Sequence, residues 1–226
     1  MPVAYRDIEH LVHAHGLTVR GGFHPVAGDD VPDRPGTLVL VGNAGSGMWQ
    51  AFATERAAYA DRANPLDDWV RDRLQGVAAE LSGTALFPFG GPPFLPFQRW
   101  AQQAEPVSPS PLGVLIHPEY GLWHAWRGAL AFKAVIDLPA QAAPASPCAN
   151  CADKPCLSAC PVGAFSSRGY DVPACLAHLE TPAGADCMTL GCRARRACPV
   201  GVDFTYDPAQ AGFHMQAFRA AQRSAR

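Results

Sequence analysis

A mixed fold, α/β or α+β, is predicted for the first part of this chain, followed by a small cysteine-rich segment. Three observations predict it. Upstream, apolar runs that read as strands alternate with amphipathic stretches that read as helices. All eight cysteines, at 148, 151, 156, 160, 175, 187, 192 and 198, lie downstream of residue 147. Between the two compositions runs DLPAQAAPASP (137–147), a Pro/Ala connector. The expected domains are 1–140 and 141–226.

The elements follow in order. Ile8, Leu11 and Val12 share a helical face, so 4–15 is expected to be helix. TLVLVGN (37–43) is a continuous apolar run with the pattern of a buried strand. SGMWQAFATERAAYA (46–60) reads as helix with Ser46 as its N-cap, and Asn64-Pro65 breaks it. LDDWVRDRLQGVAAEL (66–81) is a second helix, with Trp69, Leu74, Val77 and Leu81 on one side and acids in its first turn. TALFPF (84–89) is a short strand before the turn-rich GGPPFLP. PLGVLIHP (111–118) and LWHAWRGALAF (122–132) read as paired strands around Glu119-Tyr120-Gly121. In the cysteine segment short helices are expected at 157–160, 172–180 and 190–196. Residues 207–225 form a terminal amphipathic helix with Pro208 in its first turn.

The composition excludes several functions. Of 226 residues 48% are hydrophobic and 17% charged, enough for a packed core. Net charge is −2, with ten Lys+Arg against fourteen Asp+Glu before Cys148 and eight against six from it onward. No basic face results, so nucleic acid is not an expected partner. Arg195 and Arg196, beside the cysteines, read as local partners for something anionic. No apolar run reaches ~18 residues, so no membrane span is expected. MPVAYRDIEHLVHAHG lacks the apolar centre of a signal peptide, which points to the cytoplasm. Disulfides are rare there, so clustered cysteines point to metal.

The cysteine spacing sharpens this. The first group is C-x2-C-x4-C-x3-C-P (148, 151, 156, 160); Cys175 follows alone, then C-x4-C-x5-C-P (187, 192, 198). Bacterial ferredoxins use C-x2-C-x2-C-x3-C-P, whose fourth cysteine serves the other cluster. Both groups here end in Cys-Pro-Val-Gly, at 160–163 and 198–201. An iron–sulfur cube needs four soft thiolates, and one loop cannot surround it. Eight thiolates make two such sites. Two zinc sites are the competing reading, but zinc ribbons favour paired C-x2-C knuckles and have no use for Cys-Pro endings.

This spacing resembles the two-cluster, bacterial-ferredoxin-like module of epoxyqueuosine reductases and reductive dehalogenases, over about 55 residues. That module also has an isolated cysteine, here Cys175 in DVPACLAHLE. The resemblance implies one [4Fe-4S] cluster on Cys148, Cys151, Cys156 and Cys198. It implies a second on Cys160, Cys175, Cys187 and Cys192. The wider intervals depart from the family pattern and leave the places of Cys187 and Cys192 open.

In those enzymes the clusters feed a cobalamin. GVLIHPEYGLWHAWRGALAF (113–132) is similar to the I-H-P-x-F-G-x-W-x-A-x-R-G stretch of the CblC family of cobalamin-processing proteins. His117, Pro118, Gly121, Trp123, Ala125, Arg127 and Gly128 match, with Tyr120 in place of Phe. ALFPFGGPPFLPFQRW (85–100) is more loosely similar. The resemblance implies an α+β, flavin-reductase/nitroreductase-like fold. His117, Tyr120, Trp123, Arg127 and Gly128 become the expected cofactor-binding residues. Physically, a corrin disc needs a broad apolar wall and scattered donors. Tyr120, Trp123, Trp126, Phe132 and the Phe87–Phe97 segment can supply the wall; His117, His124 and Arg127 can supply donors. The plainer reading is a half-buried strand whose aromatics are core.

Weaker signals complete the reading. VGNAGSGMW (41–49) is a glycine-rich strand-to-helix turn without Walker or dinucleotide spacing. His10, His13 and His15 do not share one helical face. His178 and His214 lie near the cysteines as hydrogen-bond tuners or surface residues. Glu119 is the weak candidate for a proton donor. The expected function is single-electron transfer from an external donor (ferredoxin, flavodoxin or reductase) through two clusters to a corrinoid. The alternative is a ferredoxin-type carrier whose first domain docks a partner. Epoxyqueuosine reduction would require tRNA contact, against which the mild charge argues.

Overall fold

The computed structural model describes residues 3–141 and 145–224. Residues 142–144 of the expected connector and residue 225 of the expected terminal helix lie outside this range. In chain order the elements are α1 (Tyr5–Ala14), β1 (Thr18–Phe23), β2 (Thr37–Ala44), α2 (Gly47–Glu55), α3 (Pro65–Glu80), β3 (Thr84–Leu86), α4 (Phe97–Ala104), β4 (Ser108–Pro109), β5 (Leu115–Ile116) and β6 (His124–Phe132). After them come α5 (Pro155–Ser158), β7 (Phe165–Ser166), β8 (Gly169–Tyr170), α6 (Val172–Leu179), α7 (Ala185–Leu190), α8 (Arg193–Arg196) and α9 (Pro208–Ser224). No helix among the described residues is long and apolar enough to cross a membrane.

The chain separates into two units: residues 1–106 with 124–143, and residues 107–123 with 144–226. The second unit therefore does not begin at the cysteines. It also takes in the segment that carries His117, Tyr120 and Trp123, while Arg127 and Gly128 stay in the first.

The first unit is built on a four-stranded sheet of order β1-β2-β6-β3. Every pairing in it is antiparallel, which decides for α+β. β2 is central, and Leu38, Val39, Leu40 and Val41 are each fully buried. Such a run needs cover on both faces. α1 packs on β1, α3 on β6 and β3, and α4 on β1 and β2. α3 comes close because β6 carries Gly128: a Cβ there would lie 2.4 Å from Leu74 Cδ1. Gly42 faces a bulge in β6, where Arg127 is the extra residue between the partners of Val41 and Gly42, and a Cβ on Gly42 would meet the Ala125 carbonyl oxygen at 1.9 Å. The glycine-rich run is a strand-to-helix turn: Ser46 is the N-cap of α2, and its carbonyl accepts from the Gln50 amide at 3.0 Å. Pro65 opens α3, with Asp67 and Asp68 in its first turn.

Inside this unit Arg20, 2% exposed, donates from Nε and Nη2 to Glu105 Oε2 at 3.1 and 2.9 Å. Its Nη1 donates to the Asn43 carbonyl at 2.7 Å, and Trp126 Nε1 donates to Glu105 Oε1 at 2.6 Å. Burial pushes the Glu105 carboxyl up, opposed by Arg20 and the Trp126 hydrogen bond.

The second unit has little regular structure. β4 pairs with β5, and β7 with β8, each as a two-residue ladder. The expected pairing of 111–118 with 122–132 is corrected here. β5 pairs with β4, β6 pairs with β2 and β3, and His117 and Gly121 form an isolated bridge across 118–120. The 119–121 turn packs on the 198–201 turn in place of forming a hairpin: a Cβ on Gly121 (φ +56°) would meet the Val200 carbonyl oxygen at 1.9 Å. Leu112, Ile116, Leu122, Cys156, Ala194 and Cys198 form one small core. Trp123, Tyr206 and Ala211 form another.

Candidate functional site

The cysteine loops are shaped by local chemistry. Lys154 takes a left-handed conformation (φ +38°), and Pro155 then opens α5, which buries Cys156. After Cys160, Gly163 (φ +58°) turns the chain toward the β7–β8 hairpin. Asp171 caps α6 by accepting the Ala174 amide at 2.9 Å and so presents Cys175. Cys187 lies in α7, and Cys192 immediately precedes α8. Cys198 follows α8 and is 8% exposed.

These loops place the sulfurs around two cavities. Cys148, Cys151, Cys156 and Cys198 line one, with Ile116, Pro199 and Val200. Cys160, Cys175, Cys187 and Cys192 line a larger one of about 440 Å³, with apolar walls that include Val114, Val162 and Phe218. Each quartet thus combines cysteines from both sequence groups. Among the described residues no three His, Cys, Asp or Glu side chains converge as for a single metal ion.

Burial raises the Cys148 and Cys156 thiols, and the neighbouring cysteines of their quartet raise them further. Burial also raises Cys175, Cys187 and Cys192. Four thiolates at such a site need a compensating cationic group. Donors already point at the sulfurs. The Ala164 amide donates to Cys160 Sγ at 3.4 Å. The backbone amides of Leu157 beside Cys156, of Arg193 beside Cys187, and of Arg195 and Ala194 beside Cys192 act to lower those thiols against their burial. His178 lines the larger cavity, and its Nε2 is buried without a protein hydrogen-bond partner. Soft thiol donors, apolar walls, inward amides and an orphaned ring nitrogen fit an iron–sulfur cluster.

The residues offered for a corrinoid are not gathered in one unit. His117 Nδ1 accepts the Glu119 and Tyr120 amides at 3.1 and 3.2 Å, and its ring stacks on Tyr120 at 4.2 Å. Tyr120 also meets Phe204 edge-on at 4.9 Å. Trp123, 2% exposed, packs on Tyr206. Glu119 is exposed in this turn. In the first unit Arg127 faces Asp67 at 3.7 Å, and Gly128 serves the packing of α3. Phe132 is buried, His124 meets Trp126 edge-on, and Phe87 stacks on Phe89. Pro93 and Leu95 of the GGPPFLP stretch line a cavity of about 530 Å³, with Val26, Val31, Asp30 and Arg34.

Arg195 and Arg196, read from the sequence as local partners for something anionic, divide: Arg196 pairs with the Asp186 carboxylate, while Arg195 is held by two aromatic rings and a carbonyl. The Arg195 guanidinium lies 4.5 Å from both the Trp123 and Tyr206 ring centres and donates to the Leu122 carbonyl. Arg196 donates to Asp186 and the Gly191 carbonyl. With Arg193, it holds the Asp186 carboxyl down at about 2. Sequence reasoning missed this role because Leu122 and Tyr206 are distant in the chain.

No family model matches the chain, and no curated protein matches it. Solved structures do. A C. elegans B12-trafficking protein, CblC, aligns with TM-score 0.53 and 16% identity over 93% of this chain and 91% of that one. An epoxyqueuosine reductase, solved with an epoxyqueuosine-modified tRNA stem loop, aligns with TM-score 0.50 and 15% identity over 92% of this chain and 70% of that one. At such identity the likeness is one of fold, and the fold is the one seen in CblC and in epoxyqueuosine reductase.

Proposed function

We propose that this chain is an iron–sulfur redox protein whose second unit holds two [4Fe-4S] clusters and passes single electrons to a corrinoid, or another acceptor, bound by its first unit. One observation carries the reading: two separate cavities, each lined by four cysteines taken from both sequence groups. Sulfurs spread around a cavity suit a multi-atom group better than one ion. Bound there, such clusters supply one-electron storage at a potential tuned by hydrogen bonds and exposure. The chain's own residues hold the sulfurs in place, bring an amide to Cys160, and wall the smaller cavity with Ile116, Pro199 and Val200. The external donor is a ferredoxin, a flavodoxin or a reductase, and the reducing cytoplasm is the compartment that keeps such thiols available.

For the corrinoid, support comes from the CblC-like fold and from the cavity beside Pro93 and Leu95, which pairs an apolar wall with Asp30 and Arg34. A bound cobalamin supplies a cobalt centre that accepts the electrons. The carrier reading also has its observation: His117, Tyr120 and Trp123 are engaged within the second unit. Anaerobically isolated protein is expected to be brown and to hold roughly eight irons per chain. Colourless protein, or zinc in place of iron, overturns the cluster reading. Hydroxocobalamin is expected to stay with the protein through a sizing column with shifted visible bands. Failure to stay favours the carrier.

A further inference from the structure

We infer that the larger cysteine cavity is furnished with two side-chain donors, the Tyr170 hydroxyl and His178 Nε2, that raise the reduction potential of the cluster held there; this rests on the cluster reading above. Both residues line that cavity together with Cys160, Cys175, Cys187 and Cys192. Tyr170 ends the β7–β8 hairpin, which brings its phenol to the cavity wall alongside Cys175. The ring is placed by apolar neighbours, stacked 4.6 Å from Phe165 and 6.3 Å from Phe218. Removing the hydroxyl therefore leaves the ring's packing in place.

His178 sits on α6 one turn beyond Cys175, so both side chains leave the same helical face. Its Nε2 is buried in the cavity wall without a protein partner. A buried N–H needs an acceptor, and the sulfurs of this cavity are the acceptors at hand. Reduction adds one electron and breaks no bond, so the site gains one negative charge. Donors aimed at sulfur stabilise that charge more in the reduced state than in the oxidised one. The potential rises accordingly.

The test is an anaerobic redox titration followed by electron paramagnetic resonance on wild type, Tyr170→Phe, His178→Leu and His178→Gln. Tyr170→Phe and His178→Leu are each expected to move one of the two reduction steps to lower potential. The expected change is about three- to tenfold in the equilibrium constant, at most about 59 mV for a one-electron couple. The other step stays in place, and His178→Gln, which keeps a donor, recovers most of the shift. Both steps unmoved, or both moved alike, overturns the inference. Should His178→Leu fail to keep its iron, Tyr170→Phe decides. Wild-type protein without iron sinks the cluster reading itself; full iron with unshifted variants sinks this inference alone.

Discussion

The two units are held together by different means. The first has a four-stranded sheet and large buried side chains, among them Phe52, Trp69 and Trp100. Its buried Arg20–Glu105 ion pair is bonded on several sides: Arg20 reaches Glu105 and Asn43, and Trp126 reaches Glu105. The second has ladders only two residues long and cores in which Cys156 and Cys198 are themselves members. Burial and mutual repulsion keep several of its thiols protonated in the free protein. The difference teaches that the first unit is stabilised by apolar burial, whereas on the proposed cluster reading the stability of the second is coupled to the clusters its cysteines would hold.

Iron removal should break that symmetry most visibly. Under anaerobic chelation, hydrogen exchange is expected to lose protection across 145–224 while β2 and α3 keep theirs. The coupling is on the order of several kcal/mol or more, as for other structural metal sites. Unchanged protection in the second unit would refute it. Next in size, Glu105→Ala leaves Arg20 buried without its carboxylate and should cost the first unit about 3–5 kcal/mol in denaturant unfolding, with iron content unaltered.

Cys175→Ala sharpens the comparison within the second unit. Iron should drop from roughly eight to roughly four per chain, because only the larger cavity loses a ligand. Loss of all the iron would show that the quartets are not independent. Gly121→Ala forces a Cβ into the Val200 carbonyl at a left-handed backbone position, for about 1–3 kcal/mol of strain. Chelator should then strip the Cys198 site faster than the other. The smallest effect is expected at Gln210, fully buried on α9 with neither side-chain polar atom partnered by protein. Gln210→Leu should raise the melting temperature, by about 1 kcal/mol of stability.

Much of this was legible beforehand. The β2 run reads as a buried strand because every residue from 38 to 41 is apolar, and periodicity is a local property. α1, α3 and α9 were visible through their apolar faces and prolines for the same reason. Which cysteines share a cavity was not legible in the spacing, because each cavity draws on residues of both sequence groups that only the fold brings together. β1 was missed: TVRGGF carries two glycines and an arginine, and only its pairing with β2 and the Glu105 partner make it a strand. α4 was missed because it is short and follows a proline-rich turn.

Residue order alone established the mixed fold, the eight thiols and their Cys-Pro turns, since these depend on neighbours within a few positions. Tertiary structure alone decided that residues 107–123 join the cysteine unit, that every strand of the main sheet runs antiparallel to its neighbours, and that Arg195 lies between Trp123 and Tyr206. Each of these turns on groups far apart in the chain. Their meeting depends on which backbones can approach, as Gly121 and Gly201 permit at the 198–201 turn, and no local pattern records that.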